Sequence, residues 1–209
     1  MGIADRKVSE LAEATAAPAP TPGGGSIAAV CGAFSASLVR MVAGLALGKE
    51  EYKDSQDDLR EVCDKAEVLQ DRLLAIADED SAAYEAVAAA LNMPRVTPEE
   101  KTERKMALQL ALKKAAEVPL ETMEKCGDIL TVSKIALEKG SKSAFTDAGS
   151  ASLIALAAMR AAALNARVNL LSIKDEPFCT EMRKRMASLL AGASEIAGHV
   201  ERLVETRLA

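Results

Sequence analysis

Apolar residues recur at Leu59, Val62, Ala66, Leu69, Leu73 and Ile76, and again at Tyr84, Val87 and Leu91. The steps are three or four residues, the seam of one long amphipathic helix. A single slot in that seam, position 80, holds an aspartate. A second seam, Phe178, Met182, Met186, Leu189, Ala193, Ile196, Val200 and Leu203, predicts a last helix opened by Asp175-Glu176-Pro177. Between them, Asn92-Met93-Pro94 ends the first of these helices. Thr97-Pro98-Glu99-Glu100 then reads as a capping box with proline at the first helical position. The helix it starts is expected to kink or break at Pro119. A further helix should run over 120–140, with Gly140 as a left-handed cap.

Two segments are apolar on nearly every face. The stretch 147–172 is expected to be central in the fold. The stretch 26–48 follows a loop over 17–25 that holds three prolines and three glycines and should be irregular. Ser26 is expected to open the helix after it. Gly32, Ala36, Gly44 and Gly48 leave that helix free for close backbone approach. Its length suits a membrane span, but Arg40 interrupts it and its residues are Ala, Gly and Ser, so a buried helix is the reading. A short helix is expected over 7–14. No strand pattern, repeat or linker appears. The expected fold is all-α, a single-domain antiparallel bundle of long helices over 1–209.

Composition narrows the chemistry. A net charge of −5 lacks the basic face of a nucleic-acid binder. Cys31, Cys63, Cys126 and Cys179 lie far apart, and His199 is the lone histidine, so neither a disulfide framework nor a zinc site is expected. Residues 1–10 carry charges without an apolar run, so no signal segment is read there and a cytoplasmic protein is expected.

The candidate groups are few. Asp80 on an apolar seam is either a raised-pKa acid/base or a core carboxylate satisfied by a partner. Asp78 and Glu79 beside it read as surface charges. The run Gly23-Gly24-Gly25 before a helix N-terminus suits an anion or a developing negative charge, or is simply a tight turn. Asn165 and Asn169 share one helix face and can hold a heterocycle or neighbouring backbone. Asp147 lies on the same face but about 27 Å away along a straight helix, at its N-terminus. Lys49 and Tyr52, after Gly48, are further acid–base candidates, or part of a solvated charge run. Arg40 needs a carboxylate or a subunit interface.

The motifs Pro20-Thr21-Pro22-Gly23-Gly24-Gly25-Ser26, Gly48-Lys49-x-x-Tyr52, Asp78-Glu79-Asp80-x-x-x-Tyr84, Leu91-Asn92-Met93-Pro94, Val118-Pro119-Leu120, Thr146-Asp147 and Leu164-Asn165-x-x-x-Asn169 occur in order along the chain. Together they resemble the cyclodeaminase/cyclohydrolase family of folate enzymes. Gly140-Ser141 and Thr146-Asp147 depart from the usual Gly-Asn and Ser-Asp of that family. The resemblance implies an all-helical, dimerising enzyme with the glycine loop at the folate site and Asp80 as its catalytic carboxylate. The expected activity is hydrolysis of 5,10-methenyltetrahydrofolate to 10-formyltetrahydrofolate. The alternatives are ammonia-releasing cyclization of formimidoyltetrahydrofolate and a non-catalytic, folate-binding helical dimer. Expected catalytic groups are Asp80 and Lys49. Expected substrate contacts are Pro22, Gly23, Gly24, Gly25, Ser26, Tyr52, Asp147, Asn165 and Asn169. A homodimer is expected, with no metal, no cofactor beyond the tetrahydrofolate substrate, and no nucleic-acid or membrane partner.

Overall fold

The computed structural model describes residues 2–209; Met1, the first residue of the N-terminal stretch read above, lies outside them. Six α-helices follow one another: α1 (Val8–Ala16), α2 (Gly24–Gly44), α3 (Gln56–Asn92), α4 (Pro98–Lys139), α5 (Phe145–Leu170) and α6 (Glu176–Leu208). Among the described residues there is no strand. The Thr97 hydroxyl accepts the Glu100 N–H at 3.2 Å and opens α4, as its capping box predicts. Asp175 accepts the Phe178 N–H at 3.1 Å and opens α6.

The central helix is α4, not α5. It touches α2, α3, α5 and α6, and Met123, Cys126, Ile129 and Leu130 on it are fully buried. α2 lies over α4 between α3 and α5, while α6 packs on α4 and α5. α2 and α5 meet through small residues. The Ser35 hydroxyl bonds the Ala151 carbonyl, a Cβ on Gly24 would touch Asn165, and Ala148, Ala151 and Ala155 are buried on the α5 side, while Gly32 faces Leu73 of α3 and Cys126 of α4. This close approach is where the small residues of α2 find their compensation. α2 and α5 are both long and apolar enough to cross a bilayer, but each packs against neighbouring helices, with about half of its apolar stretch buried.

Three boundaries differ from expectation. Pro119 neither breaks nor ends α4, which continues through it to Lys139. The proline removes one N–H, but the carbonyl this frees, that of Ala115, accepts the Asn169 side-chain amide at 2.8 Å. Gly140 is not left-handed; its φ is −83°. It is glycine because a Cβ there would run into the Ala136 carbonyl and into Val42 at 3.1 Å. The left-handed residue is Gly48, at φ 74°, where the chain leaves the α2 region. Finally, α2 begins at Gly24 rather than Ser26, so two of the loop glycines form its first turn.

The α3 seam is buried as its spacing predicts, with Leu59, Leu73 and Ile76 fully enclosed. Past Asp80 it opens, and Tyr84 and Leu91 are about half exposed. The cause is that α2 starts level with Asp80. Beyond that point no helix fills the groove between α3 and α5.

Candidate active site

The unfilled end of that groove is a cleft of about 240 Å³. The α2 N-terminus closes it with Gly23, Gly24 and Gly25. α3 gives Asp80, Tyr84 and Val87, α4 gives Ala115, and α5 gives Asn165, Val168 and Asn169. Pro20 and Thr21 form its rim. Larger surface depressions exist, one of them lined by Asp64, Lys65, Lys125 and Asp128, but this cleft is the one that holds the half-buried Asp80 beside a helix N-terminus.

Three adjacent acids on α3 have three different fates. Asp78 accepts the Ile3 N–H at 2.7 Å and so ties down the N-terminal turn. Glu79 shares Arg72 with Glu121, the Arg72 Nε–Glu121 contact being 2.7 Å. Neither is the plain surface charge that the sequence suggests. Asp80 faces the cleft. Its Oδ2 accepts the Ser26 hydroxyl at 2.9 Å, and Ser26 also lies 3.2 Å from the Ser81 hydroxyl. Burial pushes the Asp80 carboxyl above the usual aspartate range, against the opposing pull of hydrogen bonds from the Ser26 side chain and backbone. Among the described residues no cation pairs with Asp80. A carboxylate locked in a salt bridge would mark a structural role; this one has no such partner.

Gly25 makes the arrangement possible. A Cβ placed on it would overlap the Asp80 carboxyl group, so only glycine lets the first turn of α2 lie directly on this side chain. Its neighbour Gly24 is less constrained, since a Cβ there would meet the Asn165 Nδ2 at 3.4 Å. Neither residue has positive φ. Their value is closeness and not backbone freedom.

The two asparagines are oriented by their amino groups. Asn165 Nδ2 donates to the Ala161 carbonyl at 2.9 Å. Asn169 Nδ2 donates to Ala115 and to the Asn165 carbonyl, at 2.8 and 3.0 Å. Both side-chain oxygens are left as acceptors for a ligand. Pro119 is therefore part of the site at one remove, because it frees the Ala115 carbonyl that holds Asn169. A proline four residues after a cleft residue, inside a helix, is the sequence signal for this.

The remaining expected residues are placed as follows. Pro22 is buried behind the loop, and Ser26 is buried beneath Asp80. Lys49 and Tyr52 lie past the other end of α2, about 30 Å from Gly24 along a 21-residue helix. The Tyr52 hydroxyl accepts the Lys142 N–H at 3.0 Å. Asp147 sits in the first turn of α5, beside the middle of α2, where the Ser35 hydroxyl donates to the Ala151 carbonyl at 2.6 Å. A single chain does not bring these three to the cleft. Arg40 finds its carboxylate in Glu67 at 2.9 Å, and His199 lies 3.5 Å from Glu138. Among the described residues no three His, Cys, Asp or Glu side chains converge as a metal site.

The fold and cleft define a class: an all-helical protein whose half-buried carboxylate, free of any cation, lies against a glycine-built helix N-terminus. Residues 7–188 match the profile of the formiminotransferase-cyclodeaminase family, and the chain belongs to it. It is 39% identical to a methenyltetrahydrofolate cyclohydrolase of Methylorubrum extorquens, over 95% of this chain and 94% of that one. It is 30% identical to the formimidoyltransferase-cyclodeaminase of Gallus gallus, over 99% of this chain but 38% of that longer protein. The crystal structure of formiminotetrahydrofolate cyclodeaminase from Thermotoga maritima superimposes with a TM-score of 0.90 at 26% identity, covering 99% of this chain and all of that one.

Proposed function

We propose that the protein hydrolyses 5,10-methenyltetrahydrofolate to 10-formyltetrahydrofolate. The carrying observation is Asp80, half-buried, bonded to Ser26, without a cation and open to the cleft. The bridging carbon of the substrate is cationic, so water adds to it without a Lewis acid. As the C–O bond forms, Asp80 takes a proton from the water. It returns that proton to N5 as the C–N5 bond breaks. The hydroxyl proton leaves to solvent, the carbonyl forms on N10, and one proton is released overall. A reduced pterin ring presents several N–H donors along one edge, and the free oxygens of Asn165 and Asn169 suit them. The α2 N-terminus favours negative charge developing on the adding oxygen.

A second reaction uses the same geometry. In formimidoyltetrahydrofolate, N10 attacks the formimidoyl carbon and Asp80 protonates the departing amine. The names of the Gallus and Thermotoga relatives favour this reading. The Methylorubrum relative, matched over nearly its full length, favours the first. Purified protein assayed in parallel with both substrates separates them. Hydrolysis removes the methenyl chromophore and releases no ammonia; the cyclodeaminase releases ammonia as the chromophore appears. Turnover of neither refutes both readings. The reaction is also proposed to need no metal, because the cleft supplies one carboxylate and no histidine or thiol. Activity should survive exhaustive treatment with EDTA; loss that added zinc restores would overturn this. The chain is further proposed to act as a homodimer.

A further inference from the structure

We propose that Arg72 is a positioning residue for Asp80. On one guanidinium it holds Glu79 of α3 and Glu121 of α4, and so it fixes how α3 is turned, and where it sits along α4, at the level of the cleft. The inference rests on the reading of Asp80 as the proton-exchanging group.

Arg72 Nη2 donates to Glu79 at 3.1 Å, and Nε and Nη2 donate to the two oxygens of Glu121, both at 2.7 Å. Such paired, planar bonds fix direction as well as distance. All three side chains are about one-third exposed, so water screens them less than it screens the open surface pairs. Their placement is what matters. Glu79 is the residue before Asp80. Glu121 lies two residues after Pro119, whose freed Ala115 carbonyl holds Asn169. One arginine thus joins the segment that carries the acid to the segment that orients the amide.

α3 and α4 are also tied by Asp58 with Lys139, and by Arg104, which donates to the Leu91 carbonyl at 3.0 Å. The three ties step along the helices in antiparallel order, with that of Arg72 in the middle. Their register sets Asp80 level with Ala115, and both line the cleft. Past that level α2 no longer supports α3, so the Arg72 pair is the last tie before the acid. A carboxyl group stands about 5–6 Å off its helix axis, so turning α3 by about 10° would move it about 1 Å. A shift of about 1 Å at a reacting group costs roughly 100-fold in rate. Of the residues that line the cleft, only Tyr84 titrates besides Asp80, and α2, α4 and α5 bring no charged side chain to it. Apart from the Ser26 hydrogen bond, the aim of Asp80 therefore depends on how α3 is held.

Two variants loosen the tie. Arg72→Lys reaches one carboxylate at a time, and Glu121→Ala frees α4 while leaving Arg72 paired with Glu79. Each should lower kcat by about 10- to 100-fold with KM little changed, because the groups on α2 and α5 stay in place. Lys139→Ala, which cuts the Asp58 tie at the far end, should lower the melting temperature and keep kcat. Added to Asp80→Asn, Arg72→Lys should cost nothing further, since it acts through the missing carboxylate. Normal kcat in either folded variant, an equal loss in Lys139→Ala, or the full loss again in Asp80→Asn chains overturns the proposal. If Arg72→Lys does not fold, Glu121→Ala decides. A measurement without substrate separates this inference from the proposed reaction. Carboxyl-carbon NMR of aspartate-labelled protein follows the Asp80 titration, its signal identified by its loss in Asp80→Asn. The signal should titrate above the ordinary aspartate range in the wild type, and nearer to that range in Arg72→Lys and Glu121→Ala as the carboxyl group leaves its buried place. An unmoved titration overturns the positioning role. If wild-type protein turns over neither folate, the proposed reaction fails, and this titration still decides what Arg72 does.

Discussion

Asp80→Asn is expected to leave the fold intact and lower turnover by about 100- to 10,000-fold, the usual worth of general acid–base catalysis. The amide keeps the shape of the carboxyl group and still accepts the Ser26 hydroxyl, but it cannot shuttle a proton. In the wild-type protein kcat/KM should rise with pH through a limb above the ordinary carboxylate range, because burial raises the Asp80 pKa. The same shift has a consequence for stability. The folded chain holds this proton to higher pH than the unfolded chain, in which aspartate titrates near about 3.9. Ionised Asp80 therefore costs stability at neutral pH, and the cost disappears below the unfolded value. Asp80→Asn should thus melt above wild type at pH 7 to 8, with the gain shrinking to nothing towards about pH 4. A folded variant with full turnover, or one that melts lower at neutral pH, would contradict the role given to this carboxylate.

Gly25→Ala should be nearly as damaging, for a geometric reason. Its methyl group overlaps the Asp80 carboxyl group, so either the carboxylate swings away from Ser26 or the α2 N-terminus lifts. A displacement of about 1 Å at a reacting group costs roughly 100-fold in rate, and the overlap should lower stability by about 1–3 kcal/mol. Gly24→Ala is the control. Its methyl meets Asn165 Nδ2 at an ordinary 3.4 Å, so the protein should fold normally and change chiefly in KM. Kinetics and thermal melting on the pair check both claims. Equal, mild effects would show that Gly25 has no special closeness to the carboxylate.

Much of this was legible in residue order. Three- and four-residue spacing is a property of the helix, so the α3 and α6 seams, the Thr97 box and the break at Asn92-Met93-Pro94 all mark real elements. Asp80 stood out because a carboxylate on an apolar face has to be explained by its surroundings. The errors came where a residue type has two uses. Gly140 is a packing glycine and Gly48 a conformational one, and composition does not distinguish them. Pro119 reads as a breaker unless another group takes up the carbonyl it frees, and that group, Asn169, is 50 residues further on.

Local spacing thus dictated the helices, the glycine-built N-terminus and the odd carboxylate, since each depends on neighbours within a turn or two. Packing alone decided which helix is central, that Ser26 serves Asp80, and that the groove between α3 and α5 stays open past Gly24. It also set Lys49 and Tyr52 at the far end of α2 and left Phe34, Met41 and Leu45 exposed there. Such facts rest on contacts between residues far apart in the chain, whose distances follow from how six helices share one core and not from any pattern within one of them.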